Sequence, residues 1–325
     1  MHNEPLISVI IYVKKTTEGL KKCLDTLFFQ LYKNIEIICI DTGLSPENTA
    51  LLYTYQTKFD KFKIFHSFNS NSAQAWNEGL KTAQGEYVHF VNSDCWFLLD
   101  LYKVFVSEAV QKNADVNIIN SALYNGKIID IPFYELFDDE DLIKTSDDMV
   151  YSYKDIRHII TKNIRVLNKI YKKEFLENNN ISFLESNHYC EYLFNIQTLI
   201  KSSSVYINPE AYMRNREQYI VEDTTDKVFD IFEILSLIER FLISEDIFKY
   251  YLFDVFNFIC NSLNSYYKYC PESLKREYFE RLRIFVLNRL NTMPPEIQNN
   301  FKKIADVNFI VTSTFEEYNN SKGKI

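Results

Sequence analysis

The chain has 325 residues, 46% of them apolar, and a formal net charge of −8. That length and apolar content suffice for a substantial core without disulfide help, in one large domain or one domain with an appended lobe. The acidic balance argues against a general nucleic-acid binder, because neutralising phosphates needs a basic surface.

The six cysteines (Cys23, Cys39, Cys95, Cys190, Cys260, Cys270) are scattered, show no Cys-x-x-Cys spacing and include one inside the apolar run Ile37-Ile38-Cys39-Ile40. They read as reduced, mostly buried thiols of a cytoplasmic protein. Met1 to Pro5 carry neither a basic region nor a long apolar core, so no signal peptide is expected. The longest membrane-span candidate, Tyr250 to Cys260, is broken by Asp254 and Asn257, and no span is expected.

In chain order, apolar runs recur at Ile7 to Ile11, Ile35 to Ile40, Phe62 to Phe65, Tyr87 to Val91 and Val116 to Ile119, each about 25 residues from the last. Rich in β-branched residues, they predict buried parallel strands. Between them, Glu18 to Gln30 sets Leu20, Leu24, Leu27 and Phe28 on one helical face, and Ala73 to Ala83 does the same with Ala75, Trp76, Leu80 and Ala83. Strand alternating with helix predicts a wound α/β sheet, mostly parallel, with helices on both faces. Ligands of such sheets bind beyond the carboxyl ends of the strands, where Asp41 and Asn92-Ser93-Asp94 would stand. Gly79 and Gly85 are expected to serve turns and close packing. After about residue 222, Val228, Ile231, Leu235, Ile238 and Leu242 recur at helical spacing, as do residues of Tyr250 to Leu263 and Tyr278 to Leu290, which predicts a helical C-terminal lobe. Its Tyr266, Tyr267 and Tyr269 are expected in the core. Lys275, Arg276, Arg281, Arg283 and Arg289 lie beside apolar residues and leave open a peripheral membrane contact. The ending Asn319 to Lys324 reads as disordered.

Taken together, "PLISVIIYVKKTTEGLKKCLDTLFFQLYKNIEIICIDTG" and "NSNSAQAWNEGLKTAQGEYVHFVNSDCW" resemble the N-terminal half of family 2 glycosyltransferases with the GT-A fold. The resemblance covers about residues 5 to 125, with a weaker block over 165 to 217. It implies a GT-A domain over 1–222, with a nucleotide-binding half at about 5–125 and an acceptor half at about 126–222, ahead of a helical region over 223–325. Asp41, Gly43, Asn77, Gly79, Gly85-Glu86-Tyr87 and Asp94 keep the family pattern; Tyr12-Val13-Lys14-Lys15, Asp41-Thr42-Gly43-Leu44, Trp76-Asn77 and Asn92-Ser93-Asp94 depart from it.

What the resemblance implies can be put in chemical terms. Asp41 would accept the ring N–H of uracil, against the alternative of a helix-capping carboxylate. Lys14 would lie beside the diphosphate, unless it is simply a solvated lysine. Asp94 would hold Mn²⁺ or Mg²⁺, hard ions that take carboxylate, phosphate and water oxygens; the alternative is a structural turn. Asn92 keeps hydrogen-bonding capacity but loses a charge. In the second block Glu191 aligns with the family's general base and would take the acceptor's proton, unless it merely complements the helix dipole; Glu185 and His188 are substitutes. Arg214 and Arg216 would reach the diphosphate or form surface ion pairs. The reading is thus a cytoplasmic inverting glycosyltransferase, free or peripheral at the inner face of the membrane, that moves a sugar from a UDP-sugar to a saccharide or lipid-linked saccharide acceptor in capsule or lipooligosaccharide synthesis. The rival is a catalytically impaired GT-A domain acting as a binding or assembly subunit. A nucleotidyltransferase is disfavoured, since no Gly-rich phosphate loop follows the first strand.

Overall fold

The first five apolar runs are strands in a computed structural model that describes residues 4–13, 17–43, 45–67, 71–124, 128–130, 150–155, 166–186, 188–216, 226–293, 295–302 and 305–322. In order come β1 (Ile7–Val13), α1 (Thr17–Phe28), β2 (Ile35–Asp41), α2 (Pro46–Gln56), β3 (Phe62–His66), α3 (Ser72–Thr82), β4 (Tyr87–Asn92), β5 (Cys95–Phe97), α4 (Leu101–Lys112) and β6 (Val116–Tyr124). They are followed by β7 (Ile128–Asp130), β8 (Val150–Tyr151), β9 (Lys169–Lys172), α5 (Lys173–Asn178), α6 (Cys190–Lys201) and β10 (Val205–Arg216). The sheet order is β3-β2-β1-β4-β9-β6-β10-β5, with β7 on β6 and β8 on β10.

The sheet is mixed, more so than the expected mostly parallel one. β1, β2, β3 and β4 run parallel, but β9 enters antiparallel between β4 and β6 and reverses the chain there. After β9 comes α5, and the apolar stretch Ile181 to Leu184 forms no strand. Ile181 and Phe183 are buried, yet the backbone N–H of Phe183 donates to Asn77 Oδ1 and its carbonyl accepts from Asn77 Nδ2, both at 2.9 Å. A side chain of α3 takes the bonds that a neighbouring strand would have made.

Local chemistry sets the helices. Asn71 caps α3 with a capping box to Gln74, and Ser45 caps α2 ahead of Pro46. On α1, Leu20, Leu24 and Leu27 are fully buried. Gly79 lets α3 close on β1, since a β-carbon there would lie 2.2 Å from Ile10 Cγ2. The buried carboxylate of Glu36 ties the strands, accepting from Ser8 Oγ, Gln84 N–H and Lys63 Nζ. Burial raises its pKa, and these three bonds more than offset that, leaving it below the usual value. All six cysteines are free and buried, as expected.

Contacts divide the chain into Met1–Gln218 and Tyr219–Ile325. The second unit carries α7 (Asp230–Ser244), α8 (Phe248–Tyr267), α9 (Lys275–Thr292), α10 (Pro295–Lys302), α11 (Ala305–Thr312) and α12 (Phe315–Lys322). Ile231, Leu235, Ile238 and Leu242 are buried on one face of α7. Tyr267 is a core residue, while Tyr266 and Tyr269 are only half-buried. Asn319 to Lys322 belong to α12 and are not a loose tail: Asn319 Oδ1 accepts from Tyr267 Oη at 2.8 Å. Of the five basic residues beside apolar ones, Lys275, Arg276, Arg281 and Arg289 are ion-paired with acids, Arg289 with Glu239 of α7. No described helix is long and apolar enough to cross a membrane.

Candidate active site

Sheet register gathers the first set of polar residues. Val13 pairs with Asp41 and Tyr12 with Asn92, so β1, β2 and β4 end together at one edge, the edge where wound sheets bind ligands. Asp41 is 1% exposed. Its Oδ1 accepts from the Gly43 N–H at 3.0 Å, and its Oδ2 from Thr49 Oγ1 at 2.8 Å, with His66 Nδ1 at 3.3 Å. Gly43 sits at φ 78°, a conformation glycine adopts without strain. Asp41 therefore fixes its own loop first. Oδ1 has a second lone pair, which leaves capacity for an external donor.

Asn92 does similar work at the end of β4, on the other side of β1. Its Oδ1 accepts from the Asp94 N–H at 3.0 Å and from Cys95 Sγ at 3.4 Å, a side-chain turn that an aspartate would also make. The amide closes the turn without a second negative charge beside Asp94. Ser93 N–H donates to Tyr12 O at 3.0 Å, and Asp94 is 2% exposed. After the turn, β5 runs antiparallel to β10, with Trp96 opposite Arg214 and Cys95 opposite Asn215. One step beyond on each strand stand Asp94 and Arg216, so the backbone brings both arginine positions alongside the turn. Arg214 is half-buried, and Lys22 Nζ lies 3.7 Å from the Trp96 ring. Lys14 and the side chain of Arg216 lie outside the described residues.

These groups suit a hard divalent cation in one way only. Among the described residues no three His, Cys, Asp or Glu side chains cluster to hold a metal. Asp94 supplies one buried carboxylate, and Asn92 has turned its oxygen inward. One protein carboxylate, with phosphate and water oxygens completing the shell, is a coordination that Mg²⁺ or Mn²⁺ accepts.

The acceptor-side candidates are placed by α6. Glu191 stands half-buried in its first turn, where the helix dipole favours a carboxylate, and its Oε2 accepts from the Val166 N–H at 3.4 Å. Because β9 is antiparallel to β4, the turn before β9 lies at the same edge as Asn92 and Asp94. Burial and then the charge of Glu191 push the Cys190 thiol up. Glu185 has a structural tie: its Oε1 accepts from Asn77 Nδ2 at 2.9 Å and its carbonyl from Asn71 Nδ2 at 2.7 Å. His188 is exposed.

Behind the edge, His89 is fully buried between Tyr102 Oη (2.9 Å from Nδ1) and Leu167 O (2.8 Å from Nε2). Burial pulls its pKa down to about 4 from the ordinary 6.5. The unfolded chain therefore takes the proton first, and stability is lost as pH falls from about 6.5 to about 4, by about 3 kcal/mol in total and about 2 kcal/mol by pH 5. Urea unfolding at pH 7 and pH 5 should show that loss in the wild type and little of it in His89→Asn, which keeps a donor and an acceptor. Equal losses in both would remove His89 as the source.

The glycosyl transferase family 2 model matches residues 8–175, just over half of the chain. The chain belongs to that family. Among relatives, it is 26% identical over 240 residues to the putative glycosyltransferase EpsH of Bacillus subtilis, covering 70% of this chain and 65% of that one. It is 32% identical over 130 residues to glycosyltransferase GlyG of Streptococcus pneumoniae, covering 40% and 42%. The chain thus spans less than two thirds of the length of either. Among solved structures, residues 1–349 of S. aureus TarS in complex with UDP superpose with a TM-score of 0.69 at 17% identity, covering 98% of this chain and 90% of that one. The mannosyltransferase PcManGT of Pyrobaculum calidifontis, solved with GDP-Man and Mn²⁺, gives 0.55 at 11% identity, covering 99% and 87%. At such identities these likenesses establish the GT-A fold of this family 2 member.

Three residues at or behind the site escaped sequence reasoning. Asn77 keeps the family pattern, but its partners are more than 100 residues away in sequence and only the fold brings them to it. Asn195, fully buried one turn after Glu191, has no local signal. Lys169 does have one: a lysine inside the run Asn168-Lys169-Ile170-Tyr171 that forms a buried strand.

Proposed function

We propose that this protein transfers a sugar from a nucleoside-diphosphate donor, foremost a UDP-sugar, to a saccharide or lipid-linked saccharide acceptor with inversion. The observation that carries the reading is the pair of buried carboxylates, Asp41 at the end of β2 and Asp94 in the turn after β4, on the two strands that flank β1 in a family 2 fold. Asp41 takes the ring N–H of the base. Lys14, Arg214 and Arg216 are assigned to the diphosphate by the family pattern, Asn92 shapes the turn that carries Asp94, and Asp94 holds Mn²⁺ or Mg²⁺. When bound, that ion supplies positive charge next to the leaving diphosphate. Glu191 takes the proton from the acceptor hydroxyl as its oxygen bonds the anomeric carbon; the bond to the diphosphate breaks on the opposite side, and configuration inverts. In this reading residues 5–125 bind the nucleotide, 126–222 the acceptor, and 223–325 form the helical region. TarS was crystallised with UDP and with UDP-GlcNAc, which favours UDP as the first nucleotide to try. Assembly of a bacterial capsule or lipooligosaccharide at the inner face of the membrane is the proposed setting.

Thermal-shift titration with UDP, GDP and CMP, each with and without Mn²⁺, tests the donor site. UDP at about 100 times its Kd should add ~2.7 kcal/mol of stability, and Mn²⁺ should strengthen the effect. No preference for UDP under any condition would overturn the donor assignment. UDP binding without UDP release from any UDP-sugar would favour the binding subunit over the enzyme.

A further inference from the structure

Asp41 and His66 close neighbouring parallel strands and stand opposite each other in the register of β2 and β3. Their side chains meet at the sheet edge, where His66 Nδ1 lies 3.3 Å from Asp41 Oδ2. For a carboxylate this deeply buried, the donors already on each oxygen decide what remains for a ligand. Oδ2 has two, Thr49 Oγ1 at 2.8 Å and His66 Nδ1, whereas Oδ1 has one, the Gly43 N–H at 3.0 Å. Oδ2 is therefore filled, and the open lone pair is on Oδ1.

The imidazole is held in turn. Its Nε2 lies 3.3 Å from Tyr53 Oη of α2. A carboxylate has no proton to give, so the contact with Oδ2 calls for the proton on Nδ1, and Nε2 of the neutral ring then accepts from the Tyr53 hydroxyl. If the ring gains a proton, Nε2 donates to the Tyr53 oxygen and Nδ1 donates as before. An N–H thus faces Asp41 in both charge states. Among the described residues, His66 is also the one side chain able to carry positive charge within ion-pair distance of Asp41. With 35% of its side chain exposed, it adds little to the core, and its contribution at this edge is the donor.

We infer that His66 is a positioning and specificity-determining residue: with Thr49 it saturates Asp41 Oδ2, so that Oδ1 alone is presented to the ring N–H of a uracil base. The inference rests on Asp41 being the group that reads the base. It assigns His66 no contact with the nucleotide.

The test is calorimetric titration of UDP and CDP, at one Mn²⁺ concentration, into the wild type, His66→Ala, His66→Asn and His66→Gln. CDP has the size of UDP and no N–H at the same ring position, so a fixed acceptor rejects it, whereas a carboxylate free to turn can seek the neighbouring amino group. Wild type should bind UDP at least about tenfold more tightly than CDP. His66→Ala should weaken UDP about tenfold, leave CDP within about twofold, and so erase most of the preference. Asparagine sets an N–H near the place of Nδ1 and glutamine near that of Nε2, so His66→Asn should restore the preference and His66→Gln should not. A preference for UDP that persists in His66→Ala overturns the inference. An equal loss for both ligands overturns it too, and marks the ring as a contact of the nucleotide itself. Should His66→Ala not fold, the other two variants decide, and equal selectivity in them overturns the role of Nδ1. Absence of any UDP preference in the wild type overturns the reading of Asp41, and the inference with it.

Discussion

Glu191→Gln is expected to lower the rate of sugar transfer by about 10²–10⁴-fold while leaving UDP affinity within about twofold, the usual worth of a positioned base and the mark of a group used only in the reaction. Glutamine has the same length, and its side-chain oxygen can still accept from the Val166 N–H, so the first turn of α6 and the turn before β9 keep their connection. What it cannot do is take a proton. Calorimetry with UDP and a UDP-release assay with acceptor present separate the two effects. Near-normal transfer would pass the role to Glu185 or His188. Of these, Glu185 already holds Asn77, which makes it the poorer base: its carboxylate is spent on keeping the loop against α3. A large loss of UDP affinity in the variant would mark Glu191 as a structural carboxylate.

The parts of the fold legible in sequence are those decided by local composition. Ile7 to Ile11 and Ile35 to Ile40 are long β-branched runs that only a sheet buried on both faces can hold, and both became central parallel strands. Their ends mark the candidate site, since Asp41 and Asn92 close the two strands that flank β1. β9 was not legible as an inserted strand because Lys169–Lys172 is four residues long with a lysine at each end. Such a segment has no strand pattern of its own; its conformation is imposed by β4 and β6 on either side. The same holds for the loop at Phe183, whose backbone partner is an asparagine 106 residues away.

The atypical motifs look different once the turn is seen. From the letters alone, Asn92 in place of an aspartate removes a charge and weakens the case for a cation. In the fold, the oxygen of that residue is committed to the Asp94 N–H and Cys95 Sγ, a role for which amide and carboxylate serve alike. The substitution therefore preserves the presentation of Asp94 while lowering the negative charge around it.

Asp94 consequently carries the second large effect. On the proposed reading, Asp94→Ala should abolish the Mn²⁺-dependent part of UDP binding and lower transfer by about 10²-fold or more, because a cation worth several kcal/mol to the leaving diphosphate would lose the buried carboxylate proposed to hold it. Both quantities should fall together, in contrast to Glu191→Gln, since an ion that orients the donor acts in the ground state and in the transition state. The fold should survive: the turn is closed by the Asn92 side chain and by Ser93 on Tyr12, neither of which uses the Asp94 carboxylate. Calorimetric titration of UDP with and without Mn²⁺, for wild type and variant, is the measurement. Asn92→Asp makes the converse change, keeping the turn and restoring a second carboxylate, and should tighten Mn²⁺-dependent binding. If Asp94→Ala retains the full effect of Mn²⁺ on UDP affinity, the carboxylate at the end of β4 is a structural turn residue and any cation must be held elsewhere.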